Sequence, residues 1–166
     1  MKKTKVLYLT RAALVAAMYV ALTWLSNFFG LASGAVQLRL SEALCVLPFF
    51  MPSSVPGLFV GCIISNLTMS ANIFDIIFGS LATLIGAYIA SKLKHKWLVP
   101  LPTVMANTIV VPLVIIFCYT PEVETIGAYL LVALGVFAGE VISAYILGMI
   151  LLLALDKRKE IFTKKH

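Results

Sequence analysis

Long apolar runs, separated by short polar or basic clusters, divide this sequence into six segments. The breaks predict helices over residues 8–29, 38–50, 55–67, 73–93, 97–119 and 126–155. A transmembrane helix needs about 20 predominantly apolar residues, and every segment except the second and third reaches that length. The pattern therefore predicts an all-α membrane protein, a compact bundle of transmembrane helices that forms one domain over residues 1–166.

The second and third segments are short for a membrane span. Apolar runs of about 10 to 14 residues are more often re-entrant or interfacial. Hydropathy alone therefore leaves two arrangements open, six full spans or four spans with a re-entrant pair. Both arrangements have the same parity, so both place the two termini on the same side of the membrane.

Composition agrees with a membrane location. Hydrophobic residues make up 61% of the chain and charged residues 12%, whereas soluble domains carry about a quarter charged residues. The net charge of +6 does not indicate a nucleic-acid-binding surface, because the basic residues are confined to the ends of the apolar segments. They form three clusters: Lys2, Lys3, Lys5 and Arg11; Lys92, Lys94 and Lys96; and Lys157, Arg158, Lys159, Lys164 and Lys165.

The basic clusters also predict the orientation. Cytoplasmic loops are enriched in Lys and Arg, so we expect a cell-membrane protein with cytoplasmic termini and a cytoplasmic linker at 92–96. The outer loops would then be 30–37, 66–72 and 120–124, which contain no Lys or Arg. Arg39 alone lies outside the three clusters.

Sequence patterns of catalysis and metal binding are missing. The chain has no Walker A sequence, no HExxH and no GxSxG, so it does not hydrolyse ATP in the P-loop manner. Its cysteines, Cys45, Cys62 and Cys118, are far apart in apolar runs and form no metal-ligand pattern. We therefore expect no metal, no cofactor and no enzymatic activity of its own.

Four charged residues lie within the apolar segments and outside the basic clusters: Arg39, Glu42, Asp75 and Glu140. A charge in the hydrocarbon costs about 2.5–3.5 kcal/mol on insertion scales, so such residues usually face a partner or a cavity. Glu140 has no basic residue near it in sequence and follows a run of small residues, which favours a ligand contact. The neutral polar residues Gln37 and Asn107 accompany these charges.

Each of these residues also has a structural interpretation. Arg39 and Glu42 are three residues apart and could form an ion pair on one helical face. Asp75 could cap the fourth helix, and Asn107 could form an interhelical hydrogen bond. Aromatic residues, among them Phe78 and Tyr145, could stack on a planar ligand or simply pack.

The first segment carries two stripes of alanine. Ala12 and Ala16 form one stripe, and Ala13, Ala17 and Ala21 form the other. Small residues four apart allow a second helix to approach closely in lipid. The stripes therefore indicate helix–helix contacts along the first segment.

Three stretches resemble the queuosine-precursor transporter (QueT) family, which are substrate-binding S components of energy-coupling factor (ECF) transporters. They are 36–50 (VQLRLSEALCVLPFF), 56–62 (PGLFVGC) and 75–84 (DIIFGSLATL). The resemblance implies six helices, with a substrate pocket near the outer face that the loop after the first helix closes. It also implies partners: a transmembrane coupling subunit that docks on Ala13, Ala17 and Ala21, and two ATPase subunits.

The resemblance further implies a 7-deazaguanine substrate, either queuine or a 7-cyano or 7-aminomethyl precursor. The adjacent N1–H and amino donors of such a base suit one carboxylate, its carbonyl needs a donor, and an aromatic face could complete the site. The expected site residues are Gln37, Arg39, Glu42, Asp75, Phe78, Asn107, Glu140 and Tyr145. An S component for another vitamin or nucleobase, and a stand-alone carrier or small channel, remain as alternatives.

Overall fold

The computed structural model describes residues 2–31, 36–69, 72–119 and 125–158, a part of the chain that contains six helices and no strand. The first three helices are helix 1 (Lys2–Phe28), helix 2 (Leu40–Phe49, a 3-10 helix) and helix 3 (Ser54–Met69). Helix 4 begins with a π-helical turn and continues as an α-helix (Asp75–Gly79 and Ser80–Ala90). Helix 5 is Leu101–Tyr119. Helix 6 is continuous through a π-helical middle (Ile126–Glu140, Val141–Leu147 and Gly148–Asp156).

The all-helical prediction is confirmed, with six helices in the predicted order. Three helical stretches are long and apolar enough to cross a membrane: Thr4–Phe28, Lys96–Cys118 and Ile126–Asp156. Helices 2, 3 and 4 are shorter, so the count of six spans stays a prediction. The predicted outer loop 120–124 and the basic residues at 159–165 lie outside the described residues, as do 32–35 and 70–71 of the other outer loops.

Helix 2 lies at the centre of the bundle. Its residues are apolar on nearly every side, and a helix of that kind is buried. Leu44 and Leu47 pack with Leu58 of helix 3, and Val46 packs with Met149 of helix 6. Ser41 and Glu42, at the start of helix 2, are thereby carried into the protein interior.

Helix 1 packs closely on helix 3 because two glycines of helix 3 leave room for it. A Cβ atom on Gly57 would lie 2.5 Å from the carbonyl oxygen of Ala12, and one on Gly61 would lie 3.0 Å from that of Ala16. Ala12 and Ala16 are consequently buried. The second stripe, Ala13, Ala17 and Ala21, is exposed on the outside of the bundle.

Helix 3 is longer than the sequence pattern indicated. We expected a span at 55–67 and a polar break beginning at Asn66, but the helix continues to Met69. Asn66 is buried and its side-chain amide donates to the carbonyl oxygen of Asp75, 3.0 Å away. A polar residue that turns inward does not end a helix, and the sequence alone does not give that direction.

The outside of the bundle is apolar along its length, with exposed side chains such as Leu14, Phe117, Leu131 and Ile150. Contiguous apolar surface of this kind indicates contact with lipid rather than water. At one end, Lys96 Nζ and Asp156 Oδ2 form an ion pair of 2.8 Å that joins the 92–96 linker to helix 6. With its long apolar helices, the chain is a multi-pass membrane protein.

Candidate ligand-binding site

Polar side chains from the segment before helix 2, from helix 2 itself and from helices 4, 5 and 6 meet around one small cavity. Its volume is about 20 Å³, room for about one water molecule. The lining residues are Gln37, Arg39, Glu42, Gly79, Thr83, Asn107, Val111, Val136 and Glu140. Five of the eight predicted site residues are therefore together: Gln37, Arg39, Glu42, Asn107 and Glu140.

Glu42 is fully buried, with 1% of its surface exposed, and both of its carboxylate oxygens have hydrogen-bond partners. The hydroxyl of Tyr19 on helix 1 donates to Oε1. The thiol of Cys45, one turn further along helix 2, donates to Oε2 over 3.2 Å. Its hydrogen bonds therefore fix Glu42 from two directions before any ligand is considered.

Glu140 is the second buried carboxylate of the cavity, with 6% of its surface exposed. The side-chain amide of Asn107 donates to Oε1 over 2.9 Å and so joins helix 5 to helix 6. Within the described residues, Oε2 has no hydrogen-bond partner. A buried acceptor without a partner costs about 1–3 kcal/mol, and more when it is charged. Glu140 is therefore an acceptor that a ligand in this cavity can satisfy.

Arg39 supplies donors to the same cavity. Its Nη1 atom lies 3.5 Å from Oδ1 of Asn66, the limit of a hydrogen bond. The ion pair with Glu42 that the sequence left open is not among the ion pairs of the described residues. The oxygens of Glu42 are instead bonded to Tyr19 and Cys45. A guanidinium carries five N–H donors, so Arg39 can still donate to a ligand.

The Gln37 backbone forms one wall of the cavity. Its carbonyl oxygen passes so close to helix 6 that a Cβ atom on Gly139 would lie only 2.0 Å from it. Only glycine allows this approach. The glycine directly before Glu140 is thus explained by the passage of Gln37 over helix 6.

Three predicted site residues do not line the cavity. Asp75 is held through its backbone carbonyl by Asn66. Phe78 stacks on Phe74 with 6.2 Å between ring centroids and faces a different, apolar groove. The hydroxyl of Tyr145 donates to the carbonyl oxygen of Trp97 over 3.2 Å, beside the basic linker.

The apolar groove is much larger than the polar cavity, about 510 Å³, and lies between helices 4 and 5. Its lining has no charged side chain: Phe74, Phe78, Val110, Leu113, Val114, Phe117 and Cys118. A ligand site needs a few convergent polar groups to fix orientation. The smaller cavity has them, so we assign the site there.

Sequence reasoning missed several residues that support the site. Tyr19 on helix 1 holds Glu42, and the Thr83 hydroxyl of helix 4 lines the cavity while donating to Gly79 O over 3.1 Å. On helix 1, Tyr19, Thr23 and Ser26 are spaced at i, i+4 and i+7 within an apolar span. Residues at this spacing lie on one face of a helix, so the sequence itself indicates a polar face on helix 1.

The arrangement offers hydrogen-bond partners to a polar ligand. One carboxyl group with an oxygen that has no partner among the described residues, one guanidinium and two amide-bearing residues (Gln37 and Asn107) surround a narrow space. No group of three metal-binding side chains occurs in the described part of the chain. A planar polar molecule with adjacent N–H donors and a carbonyl acceptor matches this set of partners.

These features define a class, a multi-pass helical membrane protein with a buried polar cavity. Comparison with known sequences gives the family: the model described as QueT transporter matches residues 9–157. The chain belongs to the QueT transporter family, which is a family of transporters and not of enzymes. No solved structure matches the chain.

A curated relative agrees with this family. It is the queuosine precursor transporter QueT of Lactococcus lactis subsp. cremoris (strain MG1363), 38% identical over 85 residues. The match covers 51% of this chain and 50% of that protein. This chain therefore matches about half the length of that curated relative.

Proposed function

We propose that the chain is the substrate-binding S component of an ECF-type importer for a queuosine precursor, a 7-deazaguanine base. The observation that carries the proposal is the second carboxylate oxygen of Glu140. It lines a polar cavity without a partner among the described residues. Membership in the QueT transporter family and the printed name of the Lactococcus relative support the substrate class.

The edge of a 7-deazaguanine complements this cavity. Its N1–H and exocyclic amino group are adjacent donors, and we assign Glu140 as their acceptor. Its carbonyl oxygen is an acceptor, and we assign Arg39 as its donor because a charged donor strengthens such a bond. Glu42, whose oxygens are bonded to Tyr19 and Cys45, supports the site instead of contacting the base.

Binding of a bicyclic base requires the cavity to open. A space of about 20 Å³ holds about one water molecule. At its wall, the Gln37 carbonyl oxygen lies against helix 6 at Gly139. In the proposed function, the 37–39 segment moves away from helix 6 to admit the ligand.

Energy coupling in this proposal comes from other subunits. The chain has no P-loop sequence, and Ala13, Ala17 and Ala21 form an exposed stripe on helix 1 that suits close packing against another helix in lipid. We propose that a transmembrane coupling subunit docks on this stripe and that two ATPase subunits complete the importer. The termini and the 92–96 linker are then cytoplasmic, and an impermeant thiol reagent should not label a cysteine at position 94 from outside.

Isothermal titration calorimetry tests the proposal. Purified protein is titrated with queuine and with 7-cyano- and 7-aminomethyl-7-deazaguanine, and mass spectrometry identifies any small molecule that co-purifies. We expect saturable one-to-one binding of at least one of these bases and none of adenine, which lacks the N1–H and 2-amino donors. If the protein bound only an unrelated vitamin, the proposed substrate would be wrong. If the protein supported uptake without any partner subunit, the proposed S-component role would be wrong.

A further inference from the structure

Helix 1 carries three buried hydroxyl residues that face the start of helix 2, directly after the segment that lines the ligand cavity. Tyr19, Thr23 and Ser26 are 1%, 3% and 0% exposed, although each lies in an apolar span. Buried polar side chains in a membrane protein usually have a specific partner. We name these three residues the hydroxyl ladder.

The ladder contacts three consecutive residues at the start of helix 2. Ser26 Oγ accepts from the backbone N–H of Leu40 over 2.8 Å. A hydrogen bond of 2.8 Å joins Thr23 Oγ1 to the hydroxyl of Ser41. The hydroxyl of Tyr19 donates to the carboxylate of Glu42. One helical face thus fixes the first turn of helix 2, residue by residue.

The segment held by the ladder begins with extended backbone. Arg39 has φ −110° and ψ 107°, and its own side chain does not cap the helix that follows it. Upstream, the backbone N–H of Leu38 donates to the carbonyl oxygen of Leu31 over 2.8 Å. Without the ladder, the direction of Gln37 and Arg39 into the cavity would depend on few contacts within the described chain.

We infer that Tyr19, Thr23 and Ser26 are positioning residues of the ligand site, which set the place of Arg39 and Gln37 by holding residues 40–42. The inference rests on the proposed function for its ligand. It assigns to helix 1 a role in affinity, although none of the three ladder residues lines the cavity. The alternative is that the ladder only stabilises the fold.

Thr23 offers the sharpest test because valine has its shape and lacks its hydroxyl. Calorimetry with 7-aminomethyl-7-deazaguanine separates the two roles: a positioning role changes Kd at unchanged stoichiometry, whereas a purely structural role lowers the fraction of binding-competent protein. Loss of one net hydrogen bond corresponds to about a threefold to tenfold change. We therefore expect Thr23→Val to raise Kd about fivefold with stoichiometry near the parent value.

Two control variants accompany Thr23→Val. Thr23→Ser keeps the hydroxyl and should restore Kd to within about twofold of the parent, well below the effect expected for one lost hydrogen bond. Thr10→Val removes an exposed hydroxyl of the same helix that donates to the carbonyl oxygen of Val6, and should leave Kd unchanged. An unchanged Kd for Thr23→Val, or a loss of stoichiometry alone, would overturn the inference.

Hydrogen–deuterium exchange tests the ladder without a ligand. Amide exchange in a peptide over 36–42 should be faster in Thr23→Val than in the parent and in Thr10→Val. If the parent binds none of the bases, the proposed function fails while this measurement still decides the inference. Equal exchange in all three proteins would show that the ladder does not position the segment.

Discussion

Two glutamates share one cavity and are held in opposite ways. Glu42 has a partner on each oxygen, the Tyr19 hydroxyl and the Cys45 thiol. Glu140 has Asn107 on one oxygen and, among the described residues, no partner on the other. Burial is nearly the same for both, so burial alone does not tell a supporting acid from a ligand-binding acid. The hydrogen-bond partners of the two acids do distinguish them, because a buried polar atom without a partner is retained at a cost in free energy.

The largest effect on ligand affinity is expected at Gly139, where Gln37 passes over helix 6 next to Glu140. Gly139→Ala places a Cβ atom 2.0 Å from the Gln37 carbonyl oxygen, so the 37–39 segment could not return to its place against helix 6 once a ligand is bound. Overpacking costs about 1–3 kcal/mol, and the upper end of that range corresponds to roughly a hundredfold weaker binding. Calorimetry with the 7-deazaguanine bases of the proposed function measures the change in affinity.

The matched control for this variant is Gly127→Ala, on the same helix. A Cβ atom at Gly127 meets nothing within 4 Å, so affinity and stability should stay at the parent values. If Gly139→Ala also binds normally, the contact between the 37–39 segment and helix 6 does not shape the site.

Glu42, the acid that supports the site, is expected to contribute to the stability of the fold. Glu42→Gln keeps the shape of the side chain but weakens the bonds to Tyr19 and Cys45, and a hydrogen bond to a charged group contributes about 1.5–3 kcal/mol. We expect thermal unfolding in detergent to occur at a lower temperature than in the parent. An unchanged unfolding temperature would mean that the two bonds to Glu42 contribute little and that the comparison between the two acids is wrong.

A smaller effect on ligand affinity is expected at Asn107, which donates a hydrogen bond to Glu140. Asn107→Ala removes the amide that donates to Oε1, so the Glu140 carboxyl group loses the partner that orients it. One neutral-to-charged hydrogen bond indicates a loss of affinity of about tenfold. Asn107→Asp, which replaces the donor by a second acid, should bind no better than Asn107→Ala. Recovery of affinity in Asn107→Asp would contradict the donor role of Asn107.

No effect on ligand affinity is expected from the exposed stripe of helix 1. The double variant Ala13→Trp, Ala17→Trp adds bulk on the outside of the bundle, away from the hydroxyl ladder and from both acids. In the proposed function these changes abolish uptake by whole cells, because bulky side chains hold a docking helix apart. Ala16→Trp, on the buried stripe against Gly61, should instead destabilise the protein. Normal uptake by the double variant would remove the docking role of the stripe.

Much of the fold was predictable because long apolar runs define helices by length and composition. Gln37, Arg39, Glu42, Asn107 and Glu140 were predictable as site candidates because polar residues in such runs seldom face lipid. Their convergence on one cavity required the structure, since hydropathy does not give the rotation of a helix.

The same limit explains the residues that sequence reasoning placed differently. Phe78 and Tyr145 are aromatic residues near the right helices, but their side chains turn toward the apolar groove and toward Trp97. Asn66 resembles a loop residue in sequence and is an interior one in the structure. Tyr19 was overlooked because a hydroxyl on an apolar helix carries no charge, although its spacing to Thr23 was visible.

In the proposed function Glu140, and not Glu42, accepts the hydrogen bonds of the ligand. The most direct measurement is calorimetry of Glu140→Gln and Glu42→Gln with the same 7-deazaguanine, together with their unfolding temperatures. We predict that Glu140→Gln weakens binding by about 1–3 kcal/mol at parent-like stability. Glu42→Gln keeps an amide oxygen that accepts from the Tyr19 hydroxyl, so it should bind within about threefold of the parent at reduced stability. Parent-like binding by Glu140→Gln, with the loss of affinity found in Glu42→Gln instead, would contradict the account.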